Sequence, residues 1–201
     1  MNLYGYEVDE KIRSGFIESL PLVNEIKDEG LRNKVIDAWS IALTVGGFKK
    51  LEEVPGVPAM DYACNQVRHT YLVARICQSL VKCYDENLDP KFNFAPKVDP
   101  DLLLIAAICH DIGNPFEHSL VNQARWKEDP SAEGLTGLRH PVYGAYLCLL
   151  VGLPEVIANV CATHAAEGGL NNVKRSLLAT ILAAGDDVAW RILKSAENKY
   201  I

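Results

Sequence analysis

Most histidines of this sequence lie in segments whose apolar residues follow the spacing of buried helices. His69 precedes Leu72 and Ile76 on one helical stripe, and His164 follows Ile157 and Cys161 on another. A single histidine on an apolar face is often a core residue satisfied by a hydrogen bond. Several together are costly to bury unless something compensates their polar atoms. The chain contains five histidines: His69, His110, His118, His140 and His164.

Two carboxylates occur in the same kind of pattern. Asp111 follows His110 directly at the end of an apolar segment, and Asp186 continues the stripe begun by Leu178 and Leu182. Imidazole and carboxylate together suit zinc, iron, manganese, cobalt or nickel, whereas calcium and magnesium prefer ligands that are nearly all oxygen. The residues therefore predict a transition-metal site inside a helical bundle.

The order of these residues resembles the H…HD…D pattern of the HD-domain superfamily of metal-dependent phosphohydrolases. The segments VRHTYLVARICQSL and LLLIAAICHDIGNP resemble its first metal-binding helix and its central helix. RHPVYGAYLCLL and IANVCATHAAEG resemble the additional histidine segments of members that hold two metals, and ATILAAGDDVAW resembles the helix with the last aspartate. HDIGNPFEH and GDDVAW are most similar to the deoxyguanosine-triphosphate triphosphohydrolases, which are much longer chains.

This resemblance covers residues 62–190 and implies an all-α, five-helix HD core that binds two divalent metal ions. It implies that Asp111 bridges the two ions. The remaining ligands of the first ion would be His69, His110 and Asp186. The second ion would be bound by Asp111, His140 and His164.

Further residues are predicted to act on or bind the substrate. Asp111 and His118 are the predicted catalytic residues. His118 follows the central helix closely and is the candidate general acid or substrate contact. An exposed loop histidine is the alternative. Arg139 and Arg68 are candidates to bind a phosphate or carboxylate, since a guanidinium contacts an oxyanion with two hydrogen bonds, and a solvated surface charge is the alternative for each. Two further residues are placed in the substrate pocket, Asn114 and Asp187, and a side chain that faces water is the open alternative for Asp187.

Helical periodicity extends through nearly the whole chain, and no segment alternates with a period of two over the length of a strand. The sequence therefore predicts an all-α protein. We expect an N-terminal helical extension over residues 1–60 and the HD domain over 61–201. The glycine- and proline-rich segment 46–58 is predicted to be a loop, with a lid over the pocket as the alternative.

Individual helix boundaries follow from proline and capping residues. Asp99 followed by Pro100 predicts the start of the central helix, and Pro141 and Pro154 predict the starts of the next two apolar helices. The last helix is expected from Asn171 or Asn172 to about Lys194. An earlier helix is predicted over 61–84, with its buried face formed by Leu72, Ile76 and Leu80.

Composition favours a globular protein of the cytoplasm. The 201 residues are 49% hydrophobic and 23% charged, and the net charge of −6 gives no general attraction to nucleic acid or anionic membranes. No apolar run is long enough for a membrane span, and the first residues show no signal-peptide pattern. The six cysteines have no CxxC spacing and are expected to be reduced and structural.

The leading functional hypothesis is a metal-dependent phosphohydrolase that acts on a small phosphorylated metabolite or nucleotide. The first alternative is a mixed-valent diiron oxygenase on the same scaffold, resembling myo-inositol oxygenase, whose ligands follow the same H…HD…H…H…D order. The second alternative is a regulatory or binding protein with a structural metal. The sequence leaves the substrate, the metal and the oligomeric state open.

Overall fold

A computed structural model describes residues 1–56, 64–87, 97–129, 137–165 and 173–197, and most of these residues are helical. The helices in these ranges are α1 (Glu10–Ser19), α2 (Glu29–Gly46), α3 (Gln66–Asn87), α4 (Pro100–Cys109), α5 (Asn114–Glu117), α6 (Leu120–Glu128), α7 (His140–Leu150), α8 (Glu155–Thr163) and α9 (Leu177–Glu197). Short 3-10 turns are formed by Pro21–Glu25 and Leu51–Glu53. The predicted all-α class is confirmed.

Several predicted helix starts are confirmed by the structure. The Asp99 side chain accepts from the backbone N–H groups of Asp101 and Leu102, and so caps α4 as expected from its sequence. Helix α7 carries Pro141 in its first turn, and Pro154 directly precedes α8. The predicted cap of α9 at residues 171–172 lies outside the described residues.

The end of α3 differs from the sequence prediction. Leu80, which was expected on the buried face, is 40% exposed, and Cys83 beyond it is also exposed. The last buried residue of α3 is Cys77. Because α3 continues to Asn87, its final turns extend past the core, where apolar periodicity no longer implies burial.

A short hairpin at the N-terminus was not predicted. Asn2–Leu3 pairs antiparallel with Tyr6–Glu7. The turn between them places Tyr4 and Gly5 at positive φ values of 52° and 91°, as tight hairpin turns require. Strands of two residues are too short to show an alternating pattern.

Helix α4 lies at the centre of the core, and its C-terminal end is buried. The carbonyl groups of a last helical turn need partners outside the helix. The Ile108 carbonyl accepts a 3.1 Å hydrogen bond from the Trp39 indole, and the Cys109 carbonyl accepts from the Cys161 thiol at 3.2 Å. Because Trp39 belongs to α2, the N-terminal helices share one hydrophobic core with the predicted HD domain. The predicted boundary near residue 60 stays a prediction.

The other helices pack in pairs around α4. Helix α3 packs along α9, and α7 packs against α8. Gly185 allows the first of these approaches, because a Cβ atom there would lie 2.4 Å from the Cys77 sulfur. All six cysteines are free thiols, and each except Cys83 is buried. None of the helices in the described ranges combines the length and hydropathy that crossing a bilayer requires.

Candidate metal centre

A first group of side chains lies where α3, α4 and α9 meet. The Nε2 atoms of His69 and His110 are 3.1 Å apart. Asp186 Oδ1 lies 3.1 Å from the first of these nitrogens and 3.8 Å from the second. The two imidazoles are buried and the carboxylate is partly buried. Potential ligand atoms from three helices thus lie within 4.8 Å of one another.

A second group consists of Asp111, His140 and His164. Asp111 Oδ1 is 3.4 Å from Nε2 of His140 and 3.5 Å from Nε2 of His164. These residues lie at helix ends, since His140 begins α7 and His164 directly follows α8. The pairing of α7 with α8 therefore brings the two imidazoles to the end of α4.

The Asp111 carboxylate joins the two groups. While Oδ1 faces the second group, Oδ2 lies 3.3 Å from His69 Nε2 and 3.4 Å from His110 Nε2. The amide nitrogen of Gln66 donates to the same Oδ2 at 3.3 Å, and Asn114 in turn donates to the Gln66 carbonyl oxygen. The carboxylate is thus held with one oxygen toward each group.

Two of the imidazoles are oriented by backbone carbonyls of their own helices. His110 Nδ1 lies 2.8 Å from the Ala107 carbonyl, and His164 Nδ1 lies 2.8 Å from the Cys161 carbonyl. Because a carbonyl oxygen only accepts, Nδ1 must be the donor in both contacts. A neutral ring held by such a contact directs an Nε2 lone pair into the centre, the tautomer that a metal ligand requires.

Glu117 plays the corresponding role for His140. Its Oε2 atom is 2.8 Å from His140 Nδ1 and accepts from the backbone N–H of the same residue at 2.7 Å. Its Oε1 atom accepts from Nε of Arg139. Burial raises the pKa of a carboxyl group, but His140 and Arg139 together lower the pKa of Glu117 to about 2. The group is therefore an anion at any physiological pH.

Negative charge accumulates at the centre. Burial would raise the pKa of Asp111, yet the facing imidazoles of His110, His164 and His69 hold the pKa well below its usual range. Burial also opposes ionisation of Asp186, but the hydrogen bond with His69 lowers its pKa. The pKa of His69 is in turn raised to about 10, because both carboxylates outweigh the effect of burial. Such a site attracts cations.

The donor set fits divalent transition-metal ions. The Nε2 atoms of His110 and His164 face the oxygens of Asp111 at 3.4–3.5 Å. Without a proton on Nε2 these atoms are all acceptors, and they repel one another unless the positive charge of a proton or a metal ion lies among them. Mixed imidazole and carboxylate ligands favour zinc, iron, manganese, cobalt or nickel over calcium or magnesium.

Gly113 permits the close approach of α4 and α7 that the centre needs. A Cβ atom at this position would lie 2.2 Å from the carbonyl oxygen of His140. Any larger residue would push the start of α7 away from Asp111. The glycine that follows the His-Asp pair therefore has a packing role.

A cavity of about 420 Å³ opens beside the two groups. Three residues predicted to bind substrate line this cavity: Asn114, Arg139 and Asp187. Asp187 is exposed and pairs with Arg191 at 2.8 Å. Gly56, from the predicted loop over residues 46–58, also lines the cavity.

Two predicted site residues are not brought to this cavity. Arg68 is exposed on α3, one position from His69 but on another face of the helix. His118 lines a different cavity together with Phe48 and Cys64, and burial lowers its pKa. The predicted general-acid role of His118 therefore has no geometric support.

Four residues that contribute to the site were missed in the sequence. Gln66 and Glu117 hold ligand side chains, while Arg175 and Trp190 line the cavity. Arg175 donates to the Thr163 carbonyl, beside His164. Proximity in sequence to a predicted ligand could have indicated two of these residues. Gln66 lies three residues before His69, and Glu117 lies six residues after Asp111.

The family model of the HD domain matches residues 67–191. This match covers more than half of the chain, so the chain belongs to the HD domain family. Proteins of this family bind divalent metals and are mostly metal-dependent hydrolases, and the two side-chain groups described above could hold such ions. No curated protein and no solved structure matches the chain.

Proposed function

We propose that this chain is a metal-dependent phosphohydrolase that hydrolyses a small phosphorylated metabolite or nucleotide with two divalent transition-metal ions. The observation that carries the proposal is the position of Asp111, whose two oxygens face two separate groups of ligand atoms. His69, His110 and Asp186 would hold one ion with Oδ2. His140 and His164 would hold the other with Oδ1.

A bound pair of ions would lower the pKa of a shared water and stabilise negative charge on phosphate oxygens. The chain supplies the rest of the site. Gln66 keeps the Asp111 carboxylate in its two-sided orientation, and the Nδ1 contacts of His110 and His164 fix their tautomers. These contacts position the ligand atoms before substrate arrives, so little reorganisation is needed.

Two arginines on the cavity wall favour an anionic substrate. Arg139 directly precedes His140, and Arg175 is held to the carbonyl of Thr163, which directly precedes His164. Arg139 shares the Glu117 carboxylate with His140, and Arg175 is bound to the residue before His164, so both arginines adjoin the second group. Guanidinium groups bind phosphate oxygens through paired hydrogen bonds, so the phosphoryl group of a substrate is expected on this side of the cavity.

The proposal is tested on protein purified without chelator. We expect close to two ions per chain by elemental analysis and phosphate release from a panel of phosphate monoesters and nucleotides after loading with Mn²⁺ or Co²⁺. His140→Ala and His164→Ala should each lose mainly the second ion, and His69→Ala the first.

The same preparation separates the alternatives. Bound iron and oxygen uptake without phosphate release would support the diiron oxygenase, which uses the same order of ligands. Two firmly bound ions with neither activity would support a regulatory protein with a structural metal.

A further inference from the structure

Glu117 differs from every other group that orients an imidazole of the centre. His110 and His164 donate to neutral carbonyls of their own helices. His140 instead contacts a carboxylate from another helix, through both its ring and its backbone N–H. An anionic acceptor makes an imidazole a stronger metal ligand than a neutral carbonyl does.

The second oxygen of the same carboxylate binds Arg139, which lines the cavity. One carboxylate therefore holds a residue of the second ligand group and a cationic residue of the cavity wall. The Glu117 side chain is only 14% exposed, and each of its two oxygens contacts one of these partners. Neither partner can adjust without affecting the other.

We propose that Glu117 is a positioning residue that couples binding of the second metal ion to binding of the substrate's anionic group. This inference rests on the proposed function, since it takes His140 as a ligand of the second ion and Arg139 as an anion contact. Because one carboxylate holds both residues, an ion bound by His140 and an anion bound by Arg139 would each act on the same side chain.

Glu117→Gln tests the metal half of the proposal. The glutamine keeps one acceptor oxygen, and its NH₂ group faces a donor whichever way the amide is turned. Titration with Co²⁺, followed by visible absorption and equilibrium dialysis, should show the second ion bound about 10- to 100-fold more weakly, with the first ion unchanged. Glu128→Gln, on the exposed face of α6, is the matched control and should leave both affinities unchanged.

The anion half is tested with inorganic phosphate as the probe, by calorimetry at saturating Co²⁺. Glu117→Gln and Arg139→Ala should each weaken phosphate binding, and the double variant should be little worse than Arg139→Ala alone. Arg139→Ala should still bind two ions. Glu117→Asp, which keeps the charge on a shorter side chain, should recover part of the second-ion affinity.

Three outcomes would overturn the inference: equal weakening of both ions, unchanged affinity for the second ion, or additive effects on phosphate binding. The metal titration needs no turnover. A selective effect in a protein that hydrolyses no phosphate ester would therefore refute the proposed function alone, and hydrolysis without a selective effect would refute only the role of Glu117. Circular dichroism confirms that each variant is folded.

Discussion

Asp111 contributes more contacts to the candidate centre than any other described side chain that could act as a ligand. Its two oxygens lie 3.3–3.5 Å from Nε2 atoms of four histidines. The carboxylate is buried, and among the described residues imidazoles and the Gln66 amide face its charge. Removing that charge is therefore expected to affect both ligand groups.

Asp111→Asn keeps the size of the side chain but replaces one anionic oxygen with an NH₂ group. Because a neutral amide is a poor bridge between two dications, we expect both ions to bind more weakly. Hydrolysis should fall on the order of 10²-fold or more. Elemental analysis after dialysis measures the first effect, and phosphate release the second. Full metal content with full activity in this variant would contradict the assignment of the centre.

The neighbouring acids Asp186 and Asp187 provide the control for this prediction. Asp186→Asn should lose the first ion, because its carboxylate lies 3.1 Å from His69. Asp187→Asn should retain both ions, since that side chain is exposed and bound to Arg191. The reverse result would mean that the register of α9 is shifted by one residue.

At the scale of elements, the end of α4 determines where the His-Asp pair lies. Its terminal carbonyls are satisfied by groups from three places: the Trp39 indole of α2, the Cys161 thiol of α8 and the His110 ring. A buried helix end without such partners would be unstable. The N-terminal helices therefore help to form the site without contributing a predicted ligand.

Trp39→Phe removes one of these partners. The Ile108 carbonyl would lose its hydrogen bond in a fully buried position, so we expect the free energy of unfolding to fall by about 1–3 kcal/mol. Urea denaturation followed by circular dichroism measures this change. Trp126→Phe is the matched control, because that indole packs against Phe116 on the short helix α5 and should cost less. Equal effects of the two substitutions would argue against the role of the Trp39 hydrogen bond.

At the scale of the whole molecule, the candidate centre ties five helices together. Its side chains come from α3, from the end of α4, from the α7–α8 pair and from α9. Without ions, the like-charged acids and the facing lone pairs must be accommodated within one buried cluster. The folded state therefore depends on what occupies the centre.

Removal of the metal ions should lower the melting temperature. Ions at about 100 times their dissociation constant stabilise a fold by about 2.7 kcal/mol per site. For a domain of this size, one kcal/mol corresponds to a shift of about 2–4 °C. Chelation should therefore lower the melting point by about 5–10 °C for one such site, and by more for two. Differential scanning calorimetry before and after chelation measures the shift, and readdition of Mn²⁺ should reverse it. An unchanged melting point after complete chelation would show that hydrogen bonds alone satisfy the cluster.

Much of this protein follows from local sequence. Helical periodicity and capping residues such as Asp99 determine the elements, because caps and apolar stripes act over only a few residues. The side-chain chemistry of His69, His110 and Asp186 likewise predicts that they belong together, since buried polar groups need a common partner. The structure brings together all six side chains predicted as ligands.

The tertiary structure alone decided which other residues join them. Glu117 and His118 are neighbours in sequence, yet one contacts His140 and the other lines a separate cavity. Successive residues at a helix end point about 100° apart, so only the packing of α5 against α7 selects between them. That packing depends on the close approach at Gly113. Sequence determined the helices and their chemistry because those are local properties, whereas the partners of Glu117 and Arg175 depend on contacts between distant helices.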